Sequence, residues 1–287
     1  MIMARNKNKS SEELFTNYQE LFNLHNKVAV VTGGSGILGK QFCAGLANFG
    51  ADVAVVDIEF DSAESLANEL IERYGVKARG FYCDVSNNDS IQLMVRRVIE
   101  EFGKINILHN NAASKSDNLE AFFAPFEDYS LDEWRKIMSV NLDGMFQVAQ
   151  AVGKQMVKQE LGGSIIQTAS IYGVLAPDHR IYQDSFYLGR QINTPAVYTA
   201  SKAAIVGLTK HLATYWAQNG IRVNTLTPGG TESGQNETFK KHYSNRIPLG
   251  RMAQASEIVG ALIYLASDAS SYVTGQNIIV DGGLSCW

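Results

Sequence analysis

The chain is short of cysteine, of excess positive charge and of long apolar runs. Its three cysteines, Cys43, Cys83 and Cys286, are odd in number and widely spaced. They form no CxxC pair and no disulfide framework, which suits a reducing compartment such as the cytoplasm. Lysine and arginine total 25 against 29 aspartate and glutamate, a net charge of −4, with no long basic run. Bulk electrostatics therefore argues against nucleic acid or an anionic membrane as a partner. No stretch is long and apolar enough to span a bilayer. The opening MIMARNKNKSSEELF lacks the apolar segment of a secretory signal. No cluster of His, Cys, Asp and Glu has metal-ligand spacing, so no metal site is expected.

What the chain does have is an alternation. Its 287 residues, 45% of them hydrophobic, can bury one large core without a second domain. Residues 1–26 are expected to be an N-terminal extension. There Ser10 and Ser11 precede Glu12 and Glu13, and Leu14, Tyr18 and Leu21 follow at helical spacing. That pattern suits a short capped helix or a frayed tail. From residue 27 onward, short apolar runs alternate with helical stretches. The runs are Val28 to Val31, Val53 to Val56, Ala78 to Cys83, Ile105 to His109, Ser164 to Thr168, Ile221 to Leu226 and Asn277 to Val280. Helices are expected over Phe42 to Phe49, Asp61 to Tyr74, Asn88 to Phe102, Leu131 to Lys158, Val197 to Asn219 and Glu257 to Ala266. Such alternation means parallel strands joined by right-handed crossovers. The fold class is α/β, a doubly wound, mostly parallel seven-stranded sheet with helices on both faces, over residues 27–287.

Two motifs carry chemistry. Gly33, Gly34, Gly36 and Gly39 stand where the first strand turns into a helix. Glycine permits the tight turn and a close approach of phosphate to the backbone, and the helix N-terminus faces the anion. Asp57 ends the second strand, about 20 residues on, where a carboxylate can bind ribose hydroxyls and repel a 2′-phosphate. No arginine lies in the glycine turn or directly after Asp57, so NAD is expected, with NADP disfavoured. The second motif is Tyr198 with Lys202. Residues i and i+4 share a helix face, and a cation beside a phenol favours the phenolate.

These residues and several others resemble the short-chain dehydrogenase/reductase family, in its single-domain branch. Asn110-Asn111-Ala112-Ala113 is similar to the family's Asn-Asn-Ala-Gly, with alanine in the last place. Cys83-Asp84-Val85, Val140-Asn141-Leu142, Gln167 to Ser170, Tyr198 to Lys202, Arg222 to Asn224, Pro228-Gly229, Pro248 to Arg251, Gly275-Gln276 and Asp281 to Gly283 follow in family order. The resemblance implies a catalytic set of Asn141, Ser170, Tyr198 and Lys202. It implies cofactor contacts from Gly33, Ser35, Gly36, Ile37, Leu38, Asp57, Asp84, Val85, Asn111, Ala112, Ala113, Tyr198, Lys202, Pro228, Gly229 and Thr231. Tyr198 would exchange the hydroxyl proton and Ser170 would hold the substrate oxygen. Lys202 would lower the tyrosine pKa, and Asn141 would hold a water. His109, beside Asn110, is expected to be structural.

Two features depart from the branch. The glycine spacing T-G-x-x-G-x-x-G is that of the extended branch, which acts on nucleotide sugars. Ser170 also lies 28 residues before Tyr198, about twice the usual gap. The extra segment, Pro177 to Thr194, holds His179, Arg180, Tyr182, Gln183, Arg190, Gln191 and Asn193. It is expected to line the substrate pocket and to meet a polar, sugar-like substrate through its arginines. A weaker resemblance of this part points to surface-glycan and flagellin-sugar oxidoreductases. The expected activity is hydride transfer between a nicotinamide cofactor and a secondary alcohol or ketone. The alternatives are a nucleotide-sugar epimerase or dehydratase that retains NAD, and a non-catalytic dinucleotide-binding protein. The expected assembly is a homotetramer or homodimer, with Leu208, Leu212, Tyr215 and Trp216 as apolar contact surface.

Overall fold

The computed structural model describes residues 17–116 and 118–287. The Ser10 to Leu14 part of the expected N-terminal helix lies outside these residues. Within the described part, a single 3-10 turn spans Glu20–Phe22. Leu24 joins the core, fully buried, and its N–H donates to the Phe49 carbonyl at 2.9 Å.

Seven strands form one sheet: β1 (Val28–Thr32), β2 (Asp52–Asp57), β3 (Ala78–Tyr82), β4 (Ile107–Asn110), β5 (Gly163–Thr168), β8 (Ile221–Pro228) and β9 (Asn277–Val280). Their order is β3-β2-β1-β4-β5-β8-β9, and every pairing is parallel. The central strands are buried on both faces, as crossover helices require. β1 shows why its sequence runs VAVVT without alternation. Ala29 and Val31 face α1 (Ile37–Asn48), α2 (Phe60–Tyr74) and α9 (Val259–Ala266), while Val30 faces α3 (Asn88–Phe102), α6 (Met145–Gln159) and α7 (Ala196–Tyr215). Period-two side-chain placement thus feeds two cores from one strand.

The chain crosses from β1 outward to β3, then returns to the centre at β4 and continues outward to β9. The reversal between β1 and β4 opens a crevice at the carboxyl ends of the strands, where doubly wound sheets bind ligands.

Several elements differ from expectation. The stretch from Leu131 to Lys158 is not one helix. It comprises α5 (Leu131–Met138), a π-helical turn (Ser139–Gly144) and α6. The glycine of that turn packs so closely that a Cβ on Gly144 would lie 2.8 Å from the Val85 carbonyl. Two short helices were not expected, α4 (Leu119–Phe122) and α8 (Glu237–Ser244), each capped by an asparagine. Asn118 accepts from Glu120 and Ala121, and Asn236 from Phe239. The segment Pro177 to Thr194 forms a 3-10 turn at His179–Tyr182 and a small antiparallel hairpin, β6 (Phe186–Tyr187) with β7 (Arg190–Gln191). Leu212 and Trp216 belong to the protein's own core and Leu208 packs against it, so of the four expected contact residues only Tyr215 is exposed. No helix among the described residues is long and apolar enough to cross a membrane.

Candidate active site

The glycine turn joins β1 to α1. Gly33 adopts φ +62°, and a Cβ there would lie 3.0 Å from Ala112 Cα. Gly39 lets α1 sit on the turn; a Cβ there would meet the Gly33 carbonyl at 2.0 Å. No side chain caps α1 at Gly36, so the first N–H groups of this helix face the crevice unspent.

The recess beside this turn has a volume of about 550 Å³. Gly33, Ser35, Gly36, Ile37 and Leu38 line it on one side, Asp57, Asp84 and Val85 on another, and Asn111, Ala112 and Ala113 on a third. All eleven were expected from the sequence. Asp57 is fixed at the end of β2: it accepts from Ser35 N at 3.0 Å and from Glu59 N at 3.2 Å. Asp84 accepts from the Ser86 N–H and hydroxyl at 2.9 and 2.7 Å. Among the described residues, no lysine or arginine lines this recess. Thr32, which opens the glycine motif but was not expected among the cofactor contacts, supports this recess from behind. Thr32 Oγ1 accepts from Asn111 N at 2.9 Å and Ala112 N at 3.1 Å, tying the β4 loop to β1. Its position directly before the glycines was the available signal. A cradle closed to Cβ atoms, with free helix N–H groups and a ribose-height carboxylate, fits a dinucleotide.

The recess continues into a larger cavity of about 670 Å³. Ser170, Tyr198 and Lys202 share one wall, and Pro228, Gly229 and Thr231 lie on another. Ser170 follows β5, and the other two sit one turn apart on α7, so the sheet and one helix fix all three. The Ser170 hydroxyl lies close enough to the Tyr198 phenol to act on its titration. Lys202 is almost fully buried; its Nζ donates to the Thr168 carbonyl at 3.0 Å and lies 5.9 Å from the centre of the Tyr198 ring.

Burial governs the titration of both groups. Loss of water holds the Tyr198 phenol above its ordinary value, and the Ser170 hydroxyl opposes this in part. The lowering expected from Lys202 does not win. The same loss of water pulls Lys202 down to about 8.

Asn141 stands behind this wall, in the π turn. Its Oδ1 accepts from Ser114 N at 2.8 Å, and its buried Nδ2 has no partner among the described residues. His109 is buried, bonded through Nε2 to the Thr168 hydroxyl at 2.8 Å and edge-on to Phe42. Burial pushes it down to about 3, so it is a neutral core residue. Among the described residues no group of His, Cys, Asp and Glu is arranged to hold a metal.

The insertion lines the cavity, but not with its cations. Arg180 pairs with Asp178, Nε and NH2 donating at 2.9 and 2.8 Å, and Arg190 pairs with Glu120 at 2.9 Å. Neither lines the cavity. A guanidinium keeps its head in water at little cost, whereas an unpaired one turned inward loses its hydration. The inward-facing members are Tyr182, Phe186, Tyr187, Ile192, Asn193 and Thr194. Tyr172 and Tyr243, which the sequence did not single out, complete this end. Tyr243 accepts from Gly230 N at 2.8 Å.

The comparisons agree with this geometry. Residues 27–183 match the family model described as short chain dehydrogenase, and residues 181–285 one described as Enoyl-(Acyl carrier protein) reductase. The chain is 34% identical to an NADP-dependent mannitol dehydrogenase of Alternaria alternata, over 93% of this chain and 96% of the relative. It is 31% identical to an NADH-dependent L-xylulose reductase of Ambrosiozyma monospora, over 95% of this chain and 100% of the relative. Among solved structures, a gluconate 5-dehydrogenase from Burkholderia cenocepacia, in complex with NADP and tartrate, superposes with a TM-score of 0.82 at 33% identity. That match covers 93% of this chain and 98% of the other. The chain belongs to the short-chain dehydrogenase family and is a nicotinamide-dependent oxidoreductase.

Proposed function

We propose that the protein interconverts a secondary hydroxyl and a ketone on a polyhydroxylated substrate, a sugar alcohol or its ketose, with NAD(H) as cofactor. The observation that carries this is the meeting of Ser170, Tyr198 and Lys202 on one wall of a cavity continuous with the nucleotide recess. The relatives act on mannitol, L-xylulose and gluconate by their names, which supports an open-chain polyol as substrate class.

A bound nicotinamide supplies the hydride acceptor or donor. The protein's own residues hold the substrate and move the proton. Ser170 donates to the substrate oxygen. The Tyr198 hydroxyl gives its proton in reduction and, as phenolate, takes it in oxidation. Lys202 holds a positive charge beside the phenol ring and would hold a ribose hydroxyl of the cofactor. Asn141, with one amide hydrogen-bonding edge unspent, seats a water between Lys202 and solvent. In this reading the residues that line the two recesses would hold the dinucleotide.

The preference for NAD rests on Asp57 and on a recess that no lysine or arginine among the described residues lines. The names of the relatives divide on this point, one NADP-dependent and one NADH-dependent. We further propose a homotetramer or homodimer in the cytoplasm. Phe146 on α6 and Tyr215 on α7 remain exposed as apolar contact surface. Residues 27–287 act as one oxidoreductase domain in this reading.

The direct test is a panel of sugar alcohols, ketoses and sugar acids with NAD(H), read at the absorbance of NADH. Turnover of polyols or ketoses with free cofactor exchange is expected. A nucleotide sugar converted with cofactor retained would favour the epimerase alternative instead.

A further inference from the structure

The cavity wall opposite Ser170 comes from the insertion, and its centre is a phenol. Tyr182 is 5% exposed. Its hydroxyl bonds the Thr194 hydroxyl at the other end of the same segment, and the Tyr172 phenol lies close enough to act on it. Its ring stacks on Phe239 at 5.6 Å, and Phe239 stacks on Tyr243 at 5.6 Å. All of these side chains line the cavity that holds Tyr198.

The wall is anchored on both sides of the crevice. On one side Arg190 pairs with Glu120 at 2.9 Å, Lys115 lies 5.5 Å from the Tyr187 ring centre, and Asn193 Nδ2 donates to the Phe123 carbonyl at 3.0 Å. On the other, Asn236 Nδ2 donates to Ser185 Oγ at 2.8 Å and to the Phe186 carbonyl at 3.1 Å. The charged residues of the insertion serve as fasteners. Its phenol is what the cavity meets.

A phenol has one hydrogen to give and two lone pairs. Two neighbours leave Tyr182 room for one more partner, and Tyr172 is placed alike. A substrate hydroxyl there replaces its water hydrogen bonds. A methylene there leaves a buried polar group unpaired.

We propose that Tyr182, braced by Thr194 and Tyr172, recognises the substrate's hydroxyls beyond the reacting carbon and so selects polyols over simple alcohols. This rests on the oxidoreductase reading above.

Tyr182→Phe keeps the stack on Phe239 and removes only the hydroxyl. Kinetics with xylitol and with cyclohexanol, both with NAD, give the first readout. The second is calorimetric titration of xylitol into protein loaded with NADH, which binds without turnover. The expected result is a rise of about tenfold in KM for xylitol, with kcat and all cyclohexanol constants within about twofold. Xylitol binding should weaken by about tenfold in the calorimeter. Thr194→Val, which loosens the brace and keeps the phenol, should show the same pattern in smaller degree. An equal loss on both alcohols, or an unchanged xylitol KM, overturns the proposal. Should wild-type protein oxidise neither alcohol, the reaction assignment fails, and binding decides the wall alone. Weaker xylitol binding in Tyr182→Phe then sustains it; equal binding, or none to wild type, overturns it.

Discussion

Lys202 spends a hydrogen bond on the carbonyl of Thr168, 3.0 Å away at the end of β5, from a position that is 2% exposed. Burial has brought its pKa from 10.5 to about 8, so the charged form weighs against folding by about 3 kcal/mol. The sign follows from proton counts. Below about pH 8 both folded and unfolded chains hold the proton, and the full cost is present. Between about 8 and 10.5 the unfolded chain binds more, so stability rises with pH. Lys202→Met should therefore melt higher than wild type at pH 7 and lose turnover. The gap should close as pH approaches 10. Calorimetric melts across that range check this; a variant less stable than wild type at neutral pH would contradict it.

Tyr198→Phe should cost at least about 10²-fold in kcat while NADH affinity stays within a few-fold. In wild type the phenol sits above its ordinary pKa. Oxidation needs the phenolate, so its rate should climb with pH through the alkaline range. Reduction needs the proton on the phenol and should fall over the same range. A pH profile of both directions gives the answer, and parallel profiles would remove Tyr198 from the proton path.

Asp57→Ala should weaken NAD binding and admit NADP. The carboxylate's two backbone hydrogen bonds aim it at the ribose position and keep it there. Its removal should shift the NAD:NADP affinity ratio by about tenfold or more toward NADP, since a lost repulsion and a lost charge-assisted hydrogen bond act together. Fluorescence titration with both reduced cofactors reads this directly. Wild type that prefers NADPH would end the cofactor assignment.

His109 should make the protein acid-sensitive. Its folded pKa of about 3 lies below the ordinary 6.5, so from 6.5 downward the unfolded chain gains a proton that the folded chain refuses. Stability is full above about pH 6.5 and falls toward pH 3, by about 1.4 kcal/mol per pH unit from this residue. Urea midpoints at pH 7 and pH 5 should differ less in His109→Asn than in wild type. An identical pH dependence would mean that carboxylates alone set it.

The sheet was legible because its central strands are buried on both faces. Seven apolar runs had no other use, and their alternation with helices fixed their parallel order. The nucleotide recess was legible for a related reason: glycines, Asp57 and the asparagine pair sit at strand ends, where position along the chain implies position in space. Side-chain direction in the insertion was not. Arg180 and Arg190 suggested function by their charge, yet Asp178, only two residues before Arg180, and Glu120, far away in the chain, hold them outside. Trp216 suggested a contact surface by its size, and the sheet took it. The caps Asn118 and Asn236 stand in the sequence as signals for α4 and α8, but α4 is a single turn and α8 is short and mostly polar, so neither carries an apolar periodicity.

The π turn at Ser139–Gly144 makes the chain's length there as consequential as its residue types. A π turn holds one residue more than an α turn in the same span. Deleting any one residue from it would leave a sequence with ordinary helical tendency. The excision would nonetheless rotate everything beyond it by about 100°. Either α6 keeps Val148 and Val152 against the sheet and Asn141 leaves Ser114, or Asn141 stays and α6 loses its seat. Insertions and deletions are usually absorbed at the rim of a fold. Here a one-residue change in count, with every remaining side chain intact, should separate the ability to fold from the ability to catalyse.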